Sequence, residues 1–293
     1  MNVFTIKDLE NLSGIKAHTI RIWEQRYSFL SPQRTSTNIR SYTNVELKTI
    51  LNIALLNKYG YKISHIDKMT PHEMGNRILD LSHAEAHQER LINDLIHSMV
   101  EIDIGVFEKK LDAFIREKGI ERSILQIIFP FLERIGILWL TNHINPAQEH
   151  LVSNVIRQKL IMGIETVQPV STKDRSCLLF LPEGEYHELG LLFIHYMLKS
   201  KGIHVFYLGA NIPLKDVEIV NGITKPDFLY THLTSVARSF SFEKFLDNVR
   251  TRMPGKPMIV SGVLTRDYDK KIPEGVHLKR SLHEVMEFVA NLR

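Results

Sequence analysis

The spacing of apolar residues changes twice along this 293-residue chain. Up to residue 70, short helical patterns are interrupted by polar turns. From 75 to 168 apolar residues recur at helical spacing with little glycine or proline, and from 173 to 293 short apolar runs alternate with helical stretches. The pattern predicts a multidomain α plus α/β protein with segments 1–70, 75–168 and 173–293, and Pro71 marks the expected linker after the first segment.

The first segment carries the pattern of a helix-turn-helix. Thr5 is positioned to cap a short helix, and the string S-G-I at 13–15 ends that helix. A second helix is predicted from Lys16 to Tyr27, with one apolar face and with basic residues left for another surface. In a helix-turn-helix, the second helix enters the major groove of DNA.

Two short extended arms follow, and each carries one arginine. Arg34 lies on the first arm and Arg40 on the second, with small polar residues between them and Asn38 as the turn residue. We interpret this unit as a wing that grips phosphate. Two further helices are predicted, from Asn44 to Asn57 and from Lys62 to Met69.

The net charge of +4 is distributed unevenly. Residues 1–70 carry ten lysines or arginines and five acidic residues, a net charge of +5, so the remaining residues sum to −1. A basic head on a near-neutral body is typical of a nucleic-acid contact, although solvated cations are common on any protein surface.

The remaining composition is that of a soluble globular protein. No apolar stretch approaches the ~20 residues of a membrane span, and the N-terminus lacks the layout of a signal peptide. We therefore expect a cytoplasmic protein with no membrane partner. The single cysteine, Cys177, lies in an apolar run, which predicts a buried, unreactive thiol and no internal disulfide.

The first seventy residues resemble the MerR family of winged-helix regulators. The strings H-T-I-R-I-W-E-Q-R-Y, L-S-P-Q-R-T and N-I-R-S-Y carry the resemblance. It implies a dimer that binds a palindromic promoter and bends or untwists it. Backbone phosphates would be held by Arg21, Arg26, Tyr27, Arg34, Arg40 and Tyr42, with Asn38 at the turn of the wing, and base edges would be approached by Lys16, His18 and Thr19. For Trp23 and Tyr42, a purely structural place in the core is the alternative.

The middle segment predicts a bundle of about four helices. The string N-P-A-Q at Asn145 is a strong helix start, with asparagine as N-cap and proline at the first helical position. This start places Glu149 and His150 in the opening turns of the last helix, across a loop from Trp139. The two polar residues and the indole could form a ligand cap. The alternative, which this segment alone favours, is a solvated pair beside a core tryptophan.

After Pro169, short apolar runs alternate with helices, which implies a parallel, doubly wound, Rossmann-like sheet. Strands are predicted at Ser176–Leu181, Val205–Leu208, Asp227–Tyr230, Met258–Ser261 and Val276–Leu278. Helices are predicted at Leu189–Lys201, Pro213–Asn221, Phe242–Arg252 and Leu282–Leu292. Ligands of such sheets lie beyond the carboxyl ends of the strands, and the loop from Glu185 to Gly190 lies just past the first strand.

This loop reads E-Y-H-E-L-G and matches the pattern acid-x-His-x-x-Gly of cobalamin-binding domains. The neutral imidazole of His187 could displace the cofactor's own base and bind cobalt from below. The carboxylate of Glu185 could hold the other ring nitrogen, and Gly190 would let the corrin approach the backbone. A solvent-exposed loop histidine is the alternative for this string by itself, whereas the predicted fold, the spacing and the bundle favour cobalamin.

Two further strings resemble those of cobalamin-binding domains. The string T-H-L, from Thr231 to Leu233, resembles Ser-x-Leu, and Thr231 keeps the hydroxyl that would bond the displaced base. Ser261 and Gly262 resemble a Gly-Gly pair at the end of the fourth strand. Ser261 is a departure, because it adds a side chain where the nucleotide tail must thread past the sheet.

Over its full length the chain resembles light-sensing repressors of carotenoid synthesis, which join a MerR head to an adenosylcobalamin domain. The spacing of Trp139, Glu149 and His150 carries this resemblance. It implies that Trp139 covers the adenosyl group, that Glu149 and His150 line the same upper pocket, and that His187 is the lower cobalt ligand. Leu140 departs from the family, which has at that position a histidine able to ligate cobalt once the adenosyl group is lost.

Three hypotheses follow. The first is a DNA-binding repressor whose adenosylcobalamin form assembles dimers or tetramers on promoter DNA and whose oligomers come apart in light. The second keeps the DNA head but makes the rear domains a cofactor-free module for oligomerisation or partner docking, which Ser261 and Leu140 favour. The third is a corrinoid methyl-carrier enzyme, a class of protein that does not need a winged helix. We therefore expect a protein that is not an enzyme.

Overall fold

The computed structural model describes residues 4–34, 38–81, 84–140, 145–169, 174–235, 240–266 and 268–292. The chain forms two compact units, Met1–Ile156 and Arg157–Arg293. The first unit contains both the head and most of the helices that follow it. The predicted boundary near residue 70 is therefore not a boundary between compact units.

The head consists of helices around a two-stranded ribbon. Its elements are α1 (Ile6–Ser13), α2 (Ala17–Arg26), β1 (Gln33–Arg34), β2 (Arg40–Ser41), α3 (Asn44–Lys58), α4 (Ile63–Ile66) and α5 (Pro71–Leu79). Thr5, Thr43 and Thr70 each begin a helix with a capping box, in which the threonine accepts from a backbone N–H three residues on and the acid there bonds back. β1 and β2 pair antiparallel, which confirms the two arms of the predicted wing.

Pro71 begins a helix and does not lie in a linker. It occupies the first turn of α5 after the cap at Thr70, a position for which the fixed φ of proline is already suited. The head also packs on the later helices: α3 contacts α6, the next helix, and Asn44 donates to the carboxylate of Glu101 at 2.6 Å. An ion pair joins Lys58 to Glu89. These contacts explain why head and helices form one compact unit.

Four long helices follow. They are α6 (Ala84–Val100), α7 (Ile104–Lys118), a continuous helix made of α8 (Ile120–Ser123), a π-helical turn (Ile124–Ile128) and α9 (Phe129–Leu140), and finally α10 (Pro146–Thr166). α10 starts as predicted, because Asn145 accepts from the N–H of Ala147 at 2.9 Å while its own N–H donates to Gln148 at 3.1 Å. The buried rings of Phe107 and Phe131 meet edge to face in the core. The predicted helical middle is confirmed.

The second unit is built on a parallel five-stranded sheet. Its strands are β3 (Ser176–Pro182), β4 (His204–Ile212), β5 (Phe228–Leu233), β6 (Met258–Gly262) and β7 (Val276–Lys279), in the order β4-β3-β5-β6-β7. The helices are α11 (Leu189–Ser200), α12 (Leu214–Thr224), α13 (Phe242–Arg252), α14 (Val263–Arg266) and α15 (Leu282–Asn291). Every strand pairing is parallel, which confirms the predicted doubly wound sheet.

The two faces of this sheet have different partners, because successive side chains of a strand point to opposite faces. On one face, apolar side chains of β3, β5 and β6 form a core with Val217 of α12 and Phe245 of α13. On the other face, Phe288 of α15 contacts the rings of Phe228 and Tyr230. The order of the strands reverses at β3, where such sheets bind their ligands.

Two predictions from composition can be compared with the structure. Within the described residues, no helix combines the length and the apolarity required to cross a membrane. Cys177 lies buried on β3, and burial raises the pKa of its thiol well above the usual range. The expected burial of the thiol is confirmed, and a raised pKa disfavours the reactive thiolate.

Candidate functional site

The E-Y-H-E-L-G loop connects β3 to α11 at the carboxyl end of β3, which lies between β4 and β5, and Glu185 organises it. Glu185 is fully buried. Its Oε1 accepts hydrogen bonds from the backbone N–H of His187 at 2.9 Å and from the ring Nδ1 at 2.7 Å. Its Oε2 accepts from the backbone N–H groups of Thr234 at 2.8 Å and Ser235 at 2.7 Å, just beyond β5. One carboxylate therefore ties together the ends of two adjacent strands.

The carboxylate of Glu185 stays ionised. Burial alone would raise its pKa, but the hydrogen bonds from the ring and backbone of His187 and from the backbone of Ser235 outweigh burial and lower the pKa. Hydrogen bonds to a charged acceptor are also the stronger kind. The four donors thus compensate the cost of burying the charge.

The imidazole of His187 is held in a defined orientation. Its side chain is 45% exposed, while Nδ1 lies against the buried carboxylate of Glu185. This contact holds the ring proton on Nδ1 and leaves the lone pair on Nε2, which is the tautomer that a metal-ligating histidine needs. The geometry is consistent with the predicted role of His187 as a lower ligand to cobalt.

The end of β4 supports the loop from a second side. Asn211, with a φ of 58°, donates its backbone N–H to the carbonyl of Glu185 at 3.0 Å. Its side-chain Oδ1 accepts the N–H of Gly184 at 3.0 Å. Both bonds bind backbone atoms of Gly184 and Glu185, so they fix the path of the loop just before His187.

Glu188 supports the loop from a third side. It directly follows His187, and its carboxylate lies 2.6 Å from the guanidinium of Arg157 on α10. The hydroxyl of Tyr207 on β4 donates to the same carboxylate at 3.2 Å. Since the loop is anchored from α10, β4 and the end of β5, the imidazole is pre-organised on rigid elements.

The place beside Gly190 is occupied by His232. A Cβ added to Gly190 would lie 2.3 Å from Cδ2 and 2.5 Å from Nε2 of that ring, so the ring packs directly on the glycine backbone. Ser261 pairs with His232 across β5 and β6, and its hydroxyl lies 2.8 Å from Nδ1. Tyr230 donates to the same hydroxyl at 2.8 Å. Burial lowers the pKa of His232 to about 4, so the ring is neutral near pH 7.

Thr231 and Leu233 point to the opposite face of the sheet from His232. Leu233 belongs to the apolar core of the α12 and α13 face, and Thr231 shares its parity along β5. Within the described residues, the buried Oγ1 of Thr231 has no hydrogen-bond partner. The side chains of Thr231 and Leu233 therefore lie on the sheet face opposite to His232 and Ser261, and their contact with a ligand stays a prediction.

Sequence reasoning missed His232, because only the pairing register of the folded strands places it beside Ser261. Ser261 was already a candidate, and in a parallel sheet the residue paired with it must share its face. Register places His232 in that position. The two backbone donors at Thr234 and Ser235 carried no signal of residue type, because an N–H group is common to nearly every residue.

The backbone conformation at position 262 requires glycine. Its φ is 106°, and an added Cβ would lie 2.2 Å from the carbonyl oxygen and 2.7 Å from the amide nitrogen of Leu233. Only glycine adopts this conformation readily and allows this close approach. The glycine in the Ser261-Gly262 pair is thus explained by strand contact within the protein.

The predicted upper-pocket residues lie at the end of α9 and the beginning of α10. Trp139 and Leu140 are the last residues of α9, and their side chains lie outside the described part of the structure. The carboxylate of Glu149 lies 3.0 Å from Nδ1 of His150 and accepts the hydroxyl of Ser153. Glu149 and His150 are neighbours in the first turns, and their contact with a ligand stays a prediction.

The basic surface of the head follows α2. His18, Arg21 and Arg26 are exposed on this helix, and Thr19 is half-buried beside His18. Lys16 precedes the helix, is exposed, and lies 3.5 Å from a carboxylate oxygen of Glu10. Cations at the exposed start and along one helix suit contact with a polyanion.

The wing carries the other predicted DNA contacts. Arg34 is exposed and donates to Oδ1 of Asn38 at 2.7 Å, and Asn38 has a φ of 62°. The left-handed conformation suits an asparagine at a turn, as predicted. Tyr27, between α2 and the wing, is half-buried and stacks on Phe29 with ring centroids 5.6 Å apart.

Arg40 and Tyr42 have a partner inside the protein. Nε of Arg40 donates to Glu24 at 2.7 Å, and the hydroxyl of Tyr42 donates to the other oxygen of the same carboxylate. Tyr42 is fully buried, and burial together with Glu24 raises its pKa. The structure therefore places Tyr42 in the core, as it does Trp23 at 8% exposure, which is the structural alternative for both residues.

Comparison with known proteins identifies the parts of the chain. Residues 4–73 match the model of the MerR HTH family regulatory protein, and residues 91–162 match that of a B12 binding domain. The HTH-type transcriptional repressors CarH and CarA of Myxococcus xanthus are each 26% identical to this chain. The alignment with CarH covers 90% of both chains, and that with CarA covers 91% of this chain and 89% of CarA.

A solved structure is similar to much of the chain. The monomethylamine corrinoid protein of Methanosarcina barkeri matches with a TM-score of 0.58 and 11% identity, over 70% of this chain and all of that chain. At this identity the match shows the fold alone. Together the findings confirm the predicted MerR-type head, helical middle and Rossmann-like sheet, and they support a transcriptional regulator controlled by cobalamin.

Proposed function

We propose that this chain is a DNA-binding repressor whose DNA-bound assembly is controlled by a corrinoid held on His187. The observation that carries the proposal is the buried, ionised Glu185, which fixes the tautomer and orientation of an exposed imidazole at the ligand edge of a parallel sheet. A metal-ligating histidine commonly donates its other ring N–H to such a carboxylate. The basic head supplies the DNA contact, and CarH and CarA are both repressors.

The visible absorption spectrum tests this proposal. Full-length protein mixed with adenosylcobalamin and passed over gel filtration in the dark is expected to retain a coloured ligand. Its spectrum should be that of a corrinoid whose own base has been displaced. Colourless protein after this treatment, with adenosylcobinamide failing as well, would contradict the proposal.

Binding to promoter DNA is expected to weaken steeply as salt rises, because cations on α2 and the wing replace counterions at several phosphates. Arg21→Ala should weaken binding to specific and nonspecific duplexes alike and reduce the salt slope by about 1, as expected for one lost phosphate contact. Arg250→Ala on α13 makes the same charge change outside the head and serves as the control. The measurement is an affinity titration at several salt concentrations, and a sequence-selective loss with Arg21→Ala would place it at a base edge.

Light is the proposed signal, through the adenosyl group. A bound adenosylcobalamin supplies a cobalt–carbon bond that light breaks. The protein's part is to hold two arrangements with different affinity for the intact ligand, which is the only requirement for ligand-dependent assembly. We further propose that Trp139 lies over the adenosyl group and that Glu149 and His150 line the same pocket.

Loss of assembly in light is expected to be reversible. Leu140 has no ligating atom, so the photoproduct should lack a second imidazole unless His143 or His150 supplies one. Fresh adenosylcobalamin should then restore the dark oligomer, or no stable light state should form at all. Size-exclusion chromatography in the dark, after green light, and after renewed addition of the ligand in the dark measures this. Leu140→His is expected to slow or prevent the recovery. Identical oligomers in dark and light, with ligand bound in both, would exclude the photoreceptor mechanism.

A second candidate function has one observation in its favour. The ring of His232 packs on Gly190 and is held by the hydroxyl of Ser261, the position at which a nucleotide tail would pass the sheet. A regulator of this kind would keep its DNA head and use the rear domains for oligomerisation or partner docking without a corrinoid. The same absorption spectrum separates the two functions.

A further inference from the structure

We infer that this chain binds a corrin ring on His187 without taking a nucleotide tail into the sheet, and that it therefore prefers a corrinoid of the cobinamide class, which lacks the nucleotide, to complete cobalamin. The inference rests on the proposed function and specifies the ligand of the same site. It follows from two features at the carboxyl ends of β3 and β5. The first is the contact between Glu185 and His187, and the second is the space beside Gly190, here called the slot, which the ring of His232 occupies with support from Ser261.

The ring side of the site suits a corrinoid. The hydrogen bond from Nδ1 of His187 to Glu185 directs Nε2 of the ring to the edge of the sheet. The loop itself is anchored from α10, β4 and the end of β5. None of these anchors uses a residue that lies in the slot beside Gly190. Axial ligation by His187 and occupation of the slot are therefore separate properties of the chain.

The slot side does not suit a nucleotide. A glycine at position 190 should leave room for a ligand against the backbone, but the ring of His232 already lies at that backbone. The ring is held there by the hydroxyl of Ser261, which in turn receives the hydroxyl of Tyr230. Ser261 is fully buried, and Tyr230 is fully buried beneath it. A tail inserted along this face would have to break this hydrogen-bonded row and expel two side chains.

The energetic consequence differs between the two ligands. Cobalamin carries a base that binds its own cobalt, so His187 gains the metal only after this base has been displaced. In a protein with an open slot, burial of the displaced tail offsets that cost. Here the displaced tail would stay in water, and the cost would remain. Cobinamide has no such base, and His187 has only a weakly held solvent ligand to replace.

The test compares the two ligands in the full-length protein and opens the slot by mutation. Dissociation constants for adenosylcobinamide and adenosylcobalamin are measured in the dark from the visible spectrum. The native chain should bind adenosylcobinamide at least tenfold more tightly. The double variant His232→Ser, Ser261→Gly should gain at least tenfold in affinity for adenosylcobalamin, with little change for adenosylcobinamide. His277→Ser, at an exposed position on β7, is the control and should change neither affinity.

Each outcome decides between the two proposals. Equal affinities for both ligands, each lost with His187→Ala, would overturn the tail inference and leave the proposed function in place. A folded double variant with no gain for adenosylcobalamin would also overturn it; circular dichroism shows folding, and the single variant His232→Ser replaces the double if the latter unfolds. If neither ligand binds the native chain or the opened variants, both the proposed function and this inference are wrong.

Discussion

Gly262→Ala is expected to lower the free energy of unfolding of the C-terminal unit by about 3 kcal/mol or more, since a positive φ and a backbone clash act at the same residue. The new Cβ would lie 2.2 Å from the carbonyl oxygen of Leu233, at a φ of 106°. The neighbouring atoms are backbone of β5, and they cannot move away without breaking strand pairing. The measurement is equilibrium unfolding in urea, followed by circular dichroism.

Two other glycines of the same unit provide matched controls. Gly255 has a φ of 73° but nothing within 4 Å of an added Cβ, so its replacement by alanine measures the backbone strain without the clash, about 1 kcal/mol. Gly222 lies in α12 with negative φ and open space, and alanine there should stabilise by about 0.5–1 kcal/mol. A Gly262→Ala chain as stable as Gly255→Ala would show that β5 and β6 can separate at their ends.

Glu185→Ala is expected to damage both ligand binding and stability. Without the carboxylate, His187 loses the partner that sets its tautomer, and loss of such a partner typically costs 10–100-fold in metal affinity. The backbone N–H groups of Thr234 and Ser235 lose their acceptor at the same time, which should destabilise the unit by about 2–3 kcal/mol. Both effects are measured on one preparation, from the visible spectrum with bound corrinoid and from urea unfolding.

His187→Ala separates the two roles of the loop. This variant removes the ligating nitrogen but leaves Glu185 with its two donors beyond β5, so stability should change by about 1 kcal/mol or less. Corrinoid retention should fall, and the spectrum should change to that of a ring whose lower face holds its own base or water. An unchanged spectrum in His187→Ala would exclude this residue as the axial ligand, whatever the result for Glu185→Ala.

The helix starts and the elements of this chain could be predicted from sequence because their causes are local. The capping threonine at position 5 and its acid lie within one turn, and the proline after Asn145 is suited to the first turn by its own ring. The period of apolar residues separated the helices of the middle from the strands of the rear. The E-Y-H-E-L-G loop was found in the same way, because its acid, histidine and glycine lie within six residues.

Other features of the fold depend on contacts between residues far apart in the chain. The carboxylate of Glu24 accepts hydrogen bonds from both Arg40 and Tyr42. A tyrosine that the sequence predicted at a phosphate therefore lies in the core. Pro71 looked like a linker by sequence, but packing of the head on later helices makes it part of a compact unit.

The same distinction holds at the ligand site. The sequence by itself determined that an acid and a histidine share a loop after a strand, because their chemistry and spacing are local. Only the folded chain decided that this acid also binds backbone 49 and 50 residues later. Strand register alone decided that His232, and not Thr231, faces Ser261, since a shift of one residue along a strand moves a side chain to the other face of the sheet.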